Sequence, residues 1–340
     1  MSRVVVTGVG VVTGGVTGGW EDVAAYLDGL ADAAPAVRVA DDLLSGVIEG
    51  DEARRLSRVC QLAVAAGRLA AADAGLDAAG GLGLVIGTEF GDLRSTVGFV
   101  DGYLRRGPQG LSALLFPNTV MNTMAASTAI AVRARELSLT LNAPTVAGEL
   151  ALARAATAVR SGRVEAVLAG GVDELDPLLV SVLGEMGAGG EIRGEGAGFV
   201  VLESWDAAGA RGARVLGEIA GAAWRALAAR PYGVGRDTAS RALAAALEEA
   251  GARPADIGRV YASASGDGPR DRWEEALLDA AFGPHRPPRA SLSSLVGRHS
   301  GTAALSLAAA LRAPAGTLAL LHAIARGGTQ VAMVVRAGRP

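Results

Sequence analysis

Few side chains in this 340-residue sequence could carry chemistry on their own. It holds one cysteine, Cys60, and three histidines, His285, His299 and His322. Its 32 basic residues are all arginine, which excludes a lysine-bearing phosphate loop, a Schiff-base lysine and lysine-assisted proton transfer. A lone cysteine forms no internal disulfide, and with three scattered histidines it cannot build a Cys/His zinc cluster. No metal or other cofactor is expected. Cys60 lies in Arg58-Val59-Cys60-Gln61-Leu62-Ala63-Val64, on the apolar face of a helix, and reads as a small buried hydrophobe. The glycines of Thr7-Gly8-Val9-Gly10-Val11-Val12 have the look of a dinucleotide-binding turn. Strand residues follow them where a helix N-terminus would have to hold the pyrophosphate, so a strand with a tight bend is favoured.

Such residues need elements to hold them. Short β-branched runs predict strands over 4–6, 9–12, 82–86, 139–141, 165–169, 198–202, 259–263 and 331–335. Ala-rich stretches with helical spacing predict helices over 59–74, 149–161, 239–250, 272–281 and 303–312. Alternation of the two in both halves indicates an α/β architecture with helix-covered sheets. The polar, Ala/Gly-rich segment 206–214 marks a boundary between units 1–206 and 207–340. The chain is 50% hydrophobic but only 4% aromatic, so its core must rest on Ala, Val and Leu. A net charge of −3 argues against nucleic-acid binding, which needs a strongly basic face. The apolar stretch 302–325 is interrupted by Arg312 and Pro314, so no membrane span is predicted. Gly and Thr break the first apolar run too early for a signal peptide, and a soluble, cytoplasmic protein is expected.

Glycine clusters recur at Gly87-Thr88-Glu89-Phe90-Gly91, Gly170-Gly171-Val172-Asp173, Gly194-Glu195-Gly196-Ala197-Gly198 and Gly327-Gly328-Thr329. Singly, each is a turn or a close backbone approach. The order of these clusters with Val5-Val6-Thr7-Gly8-Val9-Gly10, Arg54-Arg55-Leu56-Ser57-Arg58, Phe116-Pro117-Asn118-Thr119-Val120-Met121-Asn122 and Ser161-Gly162-Arg163 is far more specific. Over nearly its whole length the chain resembles the β-ketoacyl synthases, condensing enzymes of the thiolase fold. The resemblance implies two similar αβαβα halves in a layered α-β-α-β-α arrangement. It also implies a nucleophilic cysteine at a helix N-terminus, activated by the positive end of the helix dipole. Two histidines would stabilise the oxyanion formed as an extender unit loses CO₂, and a lysine would support the site.

Each of those positions is replaced here. Ser138-Leu139-Thr140-Leu141-Asn142-Ala143-Pro144-Thr145-Val146-Ala147-Gly148 aligns with the strand-to-helix elbow, and the cysteine falls on Thr145. A Thr hydroxyl is a poor nucleophile without a base. Ser265, or Ala264 if a gap moves, stands for the first histidine. In Ser293-Ser294-Leu295-Val296-Gly297-Arg298-His299-Ser300-Gly301, Ser293 replaces the lysine and Arg298 the second histidine. His299 sits one residue late, which on a helix turns a side chain by about 100°. Arg326 takes the place of the gating phenylalanine before Gly327 and Gly328, and Met124 belongs with it on the acyl tunnel. Relative to the family the chain is shortened before Gly194, after Arg230 and before Ala313.

A kept scaffold with emptied chemical positions resembles the chain-length-factor, or ketosynthase-β, half of type II polyketide synthases, although Thr145 departs from the glutamine common there. The expected function is a noncatalytic subunit that pairs with an active ketosynthase in polyketide or fatty-acid-like biosynthesis and shapes its acyl tunnel. The alternatives are an acyltransferase or hydrolase using Thr145, and a homodimeric scaffold that binds an acyl carrier protein. The expected partners are an active ketosynthase or a second copy, and an acyl carrier protein. Leu139, Leu141, Asn142, Phe116 and Asn122 are expected at the subunit interface.

Overall fold

The computed structural model describes residues 2–30, 34–76, 81–188, 190–226, 233–235 and 238–339. The shortening expected after Arg230 lies outside the described residues. Eleven strands form one sheet system: β1 (Val4–Thr13), β2 (Thr17–Gly18), β3 (Leu82–Thr88), β4 (Ser138–Asn142), β5 (Ala166–Asp173), β6 (Gly196–Ser204), β7 (Gly217–Ala226), β8 (Ile257–Ala262), β9 (Arg289–Ala290), β10 (Leu318–Ile324) and β11 (Thr329–Ala337). Seven helices matter below: α1 (Arg58–Asp73), α2 (Leu93–Arg106), α3 (Thr123–Ala131), α4 (Ala147–Arg160), α5 (Arg241–Ala250), α6 (Gly268–Phe282) and α7 (Thr302–Leu311).

The strand order shows a duplication. The first half runs β4-β3-β5-β6-β1 and the second β9-β8-β10-β11-β7. In both, the second strand in this order, β3 or β8, pairs in parallel with its two neighbours, and the remaining pairings are antiparallel. The halves join where Val5 and Val6 of β1 pair with Glu218 and Gly217 of β7. Helices α4 and α7 hold corresponding places, each following the edge strand of its half, and they pack on each other and on both sheets. Helix α1 covers the outer face of the first sheet, and α5 and α6 that of the second. The result is the α-β-α-β-α layering.

Sequence explains the middle layer. Helix α7 reads Thr-Ala-Ala-Leu-Ser-Leu-Ala-Ala-Ala-Leu, with no polar face, and such a helix is stable only when enclosed on all sides. Its short side chains let the two sheets close on it. The apolar stretch 302–325 thus divides into α7, a turn at Pro314 and the buried strand β10. Among the described residues, no helix is long and apolar enough to cross a membrane.

Most expected elements appear with ends shifted by a few residues. The two expected strands 4–6 and 9–12 are one, bent by a register shift between Val6 and Gly8. Between them, the buried Thr7 hydroxyl donates to Glu203, whose carboxylate also receives Arg211. Strands β7 and β10 and helices α2 and α3 were not expected. The Gly8 and Gly10 positions let β1 lie directly on α1. A Cβ at Gly10 would stand 2.2 Å from the Ala70 nitrogen. Gly10→Ala must push strand and helix apart, and we expect a loss of about 1–3 kcal/mol, read as a lower midpoint in urea denaturation.

Candidate active site

The elbow joins edge strand β4 to α4. Asn142 ends the strand, and its side-chain amide donates to the carbonyls of Thr88 (3.1 Å) and Glu89 (2.7 Å). Thr145 then adopts φ +69°. A β-branched residue is strained in that left-handed region, where glycine is usual. The turn aims the Thr145 amide at Glu89 Oε1, 2.8 Å away, so a carboxylate sits at the positive end of α4.

Glu89 is fully enclosed. Its other oxygen receives Arg193 Nη1 at 2.6 Å, and Arg298 Nε lies 3.8 Å from Oε1. Burial pushes this carboxyl up, but the two guanidinium groups and the Thr145 amide outweigh it and hold it below its ordinary range. Arg298, 1% exposed, reaches Glu149 Oε1 (3.3 Å) and Thr302 Oγ1 (3.4 Å). Arg193 lies over the Phe90 ring and extends Nη2 to Glu191 Oε2 at 2.5 Å. Glu191 in turn accepts the Ser265 hydroxyl (2.7 Å) and faces Arg270 Nη1 (3.4 Å). Glu89, Glu149 and Glu191 are thus matched by Arg193, Arg270 and Arg298 in one connected interior network.

The structure therefore brings Thr145, Ser265 and Arg298 together through carboxylates and guanidinium groups. Ser293 is buried at the start of the short helix Ser293–Val296, where its amide donates to Ser291 Oγ at 3.4 Å, outside that network. Arg326 is held by both oxygens of Asp267, at 2.5 and 2.6 Å. Gly327 and Gly328, at φ +92° and +95°, form the turn between β10 and β11. Met124 is fully buried in the core beside α1. Phe116 is 59% exposed, Asn122 is exposed, and Leu139 and Leu141 are half-buried on edge strand β4.

The residues that sequence reasoning missed are Glu89, Glu149, Arg193, Glu191 and Arg270. Glu89 alone carried a local signal, a charge set between two glycines.

His299 also corrects an expectation. The backbone at Arg298 is extended and pairs with Arg193, so adjacent side chains point to opposite sides rather than being offset by a helical step. Arg298 enters the network, while His299 is fully buried against Gly196. Burial, reinforced by the Arg298 charge, pushes its pKa down to about 3. Next to it, Ser300 donates through both amide (2.7 Å) and hydroxyl (2.6 Å) to Asp173 Oδ2. Asp173 Oδ1 accepts Thr88 Oγ1 (2.8 Å) and the Glu89 amide (2.7 Å). Burial and the Glu89 charge still push Asp173 up to about 6.

A duplicated five-layer fold with a strained elbow feeding a buried helix defines a thiolase-like condensing-enzyme scaffold. The β-ketoacyl synthase N-terminal domain matches residues 36–208 and its C-terminal domain residues 216–316. The chain belongs to the β-ketoacyl synthase family. It is 28% identical to the 3-oxoacyl-[acyl-carrier-protein] synthase 2 of Synechocystis over 325 residues, covering 83% of this chain and 77% of the relative. It is 31% identical to a Streptomyces virginiae chain assigned as polyketide β-ketoacyl synthase 1, covering 76% and 69%. Among solved structures it resembles the ishigamide ketosynthase/chain length factor at TM-score 0.88 and 25% identity, covering 99% of this chain and all of that one. It also shares the fold of a type II polyketide ketosynthase solved with its acyl carrier protein, at TM-score 0.83, 20% identity and the same coverage.

Glu89→Gln should cost about 3–5 kcal/mol in urea denaturation, because it leaves Arg193 and Arg298 buried without that counter-charge. Arg105→Gln, which breaks an exposed pair with Asp101, should cost less than ~1 kcal/mol. His299 predicts a pH effect. The unfolded chain takes up a proton on this ring near pH 6.5, whereas the folded chain does so only near 3. Stability present above pH 6.5 is therefore lost as pH falls, by about 2 kcal/mol between pH 7 and 5 from this ring. His299→Asn should flatten that part of a stability–pH profile.

Proposed function

We propose that this chain is a chain-length-factor-like subunit, noncatalytic at the elbow, that pairs with an active ketosynthase and contributes wall to its acyl tunnel. The observation that carries this reading is the network itself. Around the elbow, three family positions hold Thr145, Ser265 and Arg298, and interior ion pairs join that region into one network. It offers neither a thiolate nor an imidazole donor for an oxyanion. The Glu89 carboxylate nearest Thr145 is already committed to Arg193 and to the Thr145 amide, so it is a poor base for the hydroxyl. On this reading, Ser293 and Arg298 are structural remnants, and Arg326 closes its turn by pairing with Asp267. The two halves, 1–206 and 207–340, act as one rigid support.

The surface supports assembly. Among the described residues, every exposed large hydrophobic except Leu43 falls between Val100 and Ile192. Leu114 is 88% exposed and Ile130 80%. Edge strand β4 lies in the same stretch and leaves one side of its backbone unpaired. Exposed apolar side chains of this size are what a protein interface covers, and an obligate one would bury about 2,000 Å² or more. The neighbouring ketosynthase/chain length factor structure suggests an active ketosynthase as the occupant, and the carrier-protein complex suggests an acyl carrier protein as the visiting ligand.

Co-expression with a ketosynthase bearing an intact cysteine and two histidines tests this. We expect a heterodimer by light scattering, no decarboxylation of malonyl-carrier protein by the isolated chain, and loss of assembly in Ile130→Asp. Decarboxylation by the isolated chain that disappears in Thr145→Ala, or a monomer indifferent to the ketosynthase, overturns the reading.

A further inference from the structure

A second polar cluster lies in the other half of the molecule, on the opposite face of its sheet. Along β10, Ala319, Leu321 and Ala323 face the middle helices, whereas Leu318, Leu320 and Ile324 face the outer ones. His322 alternates with the second set and so points into the outer layer. Its Nδ1 stands 2.8 Å from Glu274 Oε1 on α6, and its Nε2 stands 3.2 Å from Ser240 Oγ, immediately before α5. A carboxylate only accepts, so in the neutral ring Nδ1 donates to Glu274 and Nε2 is left to accept the Ser240 proton. Glu274 is itself held by the Ser263 hydroxyl (2.9 Å) and amide (3.1 Å). Each member is more than nine-tenths buried.

This is the arrangement of a serine nucleophile, its base and the carboxylate that orients the base. Two further features suit it to acyl chemistry. Ser240 caps the ten-residue helix α5, so its Oγ accepts the Leu243 amide at 3.2 Å and lies at the positive helix end, where developing oxyanion charge is favoured. Ser240 also lines a cavity of about 440 Å³ whose wall is mostly apolar, with Leu243, Ala244, Leu247, Ala252, Ala280 and Ala281. That volume lies within the range of small-molecule sites.

We propose that Ser240, His322 and Glu274 form a second site, separate from the elbow, that cleaves carboxylic esters or thioesters of small apolar acyl groups. Ser240 Oγ attacks the carbonyl carbon while its proton passes to His322 Nε2. The bond to the leaving oxygen or sulfur breaks, and the leaving group takes the proton from His322. Water then attacks the acyl-serine and gives its proton to the same nitrogen, and the carboxylic acid departs as Ser240 regains a proton. Glu274 is a positioning residue.

The test treats the full-length chain with a biotinylated fluorophosphonate and maps the modified peptide by mass spectrometry, with p-nitrophenyl butyrate hydrolysis measured in parallel. We expect the probe on Ser240, none in Ser240→Ala, and at least tenfold slower labelling and hydrolysis in His322→Gln. Glu274→Gln should slow both without moving the label. Wild-type protein labelled no more than its heat-denatured form, a label on another residue, or equal labelling of His322→Gln overturns the proposal. The wild-type reading decides by itself, so a variant that fails to fold cannot protect it.

Discussion

A carboxylate buried at the head of a helix is the constraint on which the centre of this molecule depends. Glu89 meets the positive end of α4 through the Thr145 amide and meets two guanidinium groups on its other sides. Enclosing any one of these charges alone would cost far more than a typical fold can spare. Together they fix one another. Arg193 and Arg298 come from chain segments that pair only once both halves have folded, so the network closes the molecule across its duplication.

The fold makes that closure possible by keeping its middle layer thin. Helices α4 and α7 are rich in alanine, and at Gly148 a Cβ would stand 2.0 Å from the Ser300 carbonyl oxygen. The start of α4 and the segment that leads into α7 therefore nearly touch, and Asp173 ties the β3 loop to Ser300 through hydroxyl and amide donors. The strained Thr145 conformation persists because these contacts fix the backbone from both sides. A family built for a thiolate at this helix end here holds a fixed carboxylate on a neighbouring loop instead.

The alternation of strands and helices was legible because β-branched runs and Ala-rich helices differ in period, whereas the layering followed from the family resemblance that the ordered glycine clusters carry. Strand β7 was not legible, since Gly-Glu-Ile-Ala-Gly-Ala-Ala-Trp-Arg-Ala has little strand preference of its own. It is a strand because β11 pairs along its length and Gly221 lets α5 pack tightly against it. The replaced positions Thr145, Ser265 and Arg298 could be read by alignment to the motifs. Their new partners could not, because Glu89 and Arg193 are 104 residues apart and only tertiary structure joins them. The His299 expectation erred by assuming a helix where the chain is extended.

The cationic half of the interior network is guanidinium throughout. An ammonium near an activated thioester can lose its proton and become an acyl acceptor, whereas a guanidinium keeps its proton and does not compete for acyl groups. Positive charge can thus be placed in the heart of a condensing-enzyme scaffold without creating an amine that passing acyl chains would modify. The absence of lysine makes the same true of every side chain in the sequence. An amine-directed acylating reagent applied to an assembly with a lysine-bearing protein would mark the side chains of that protein and leave those of this chain untouched.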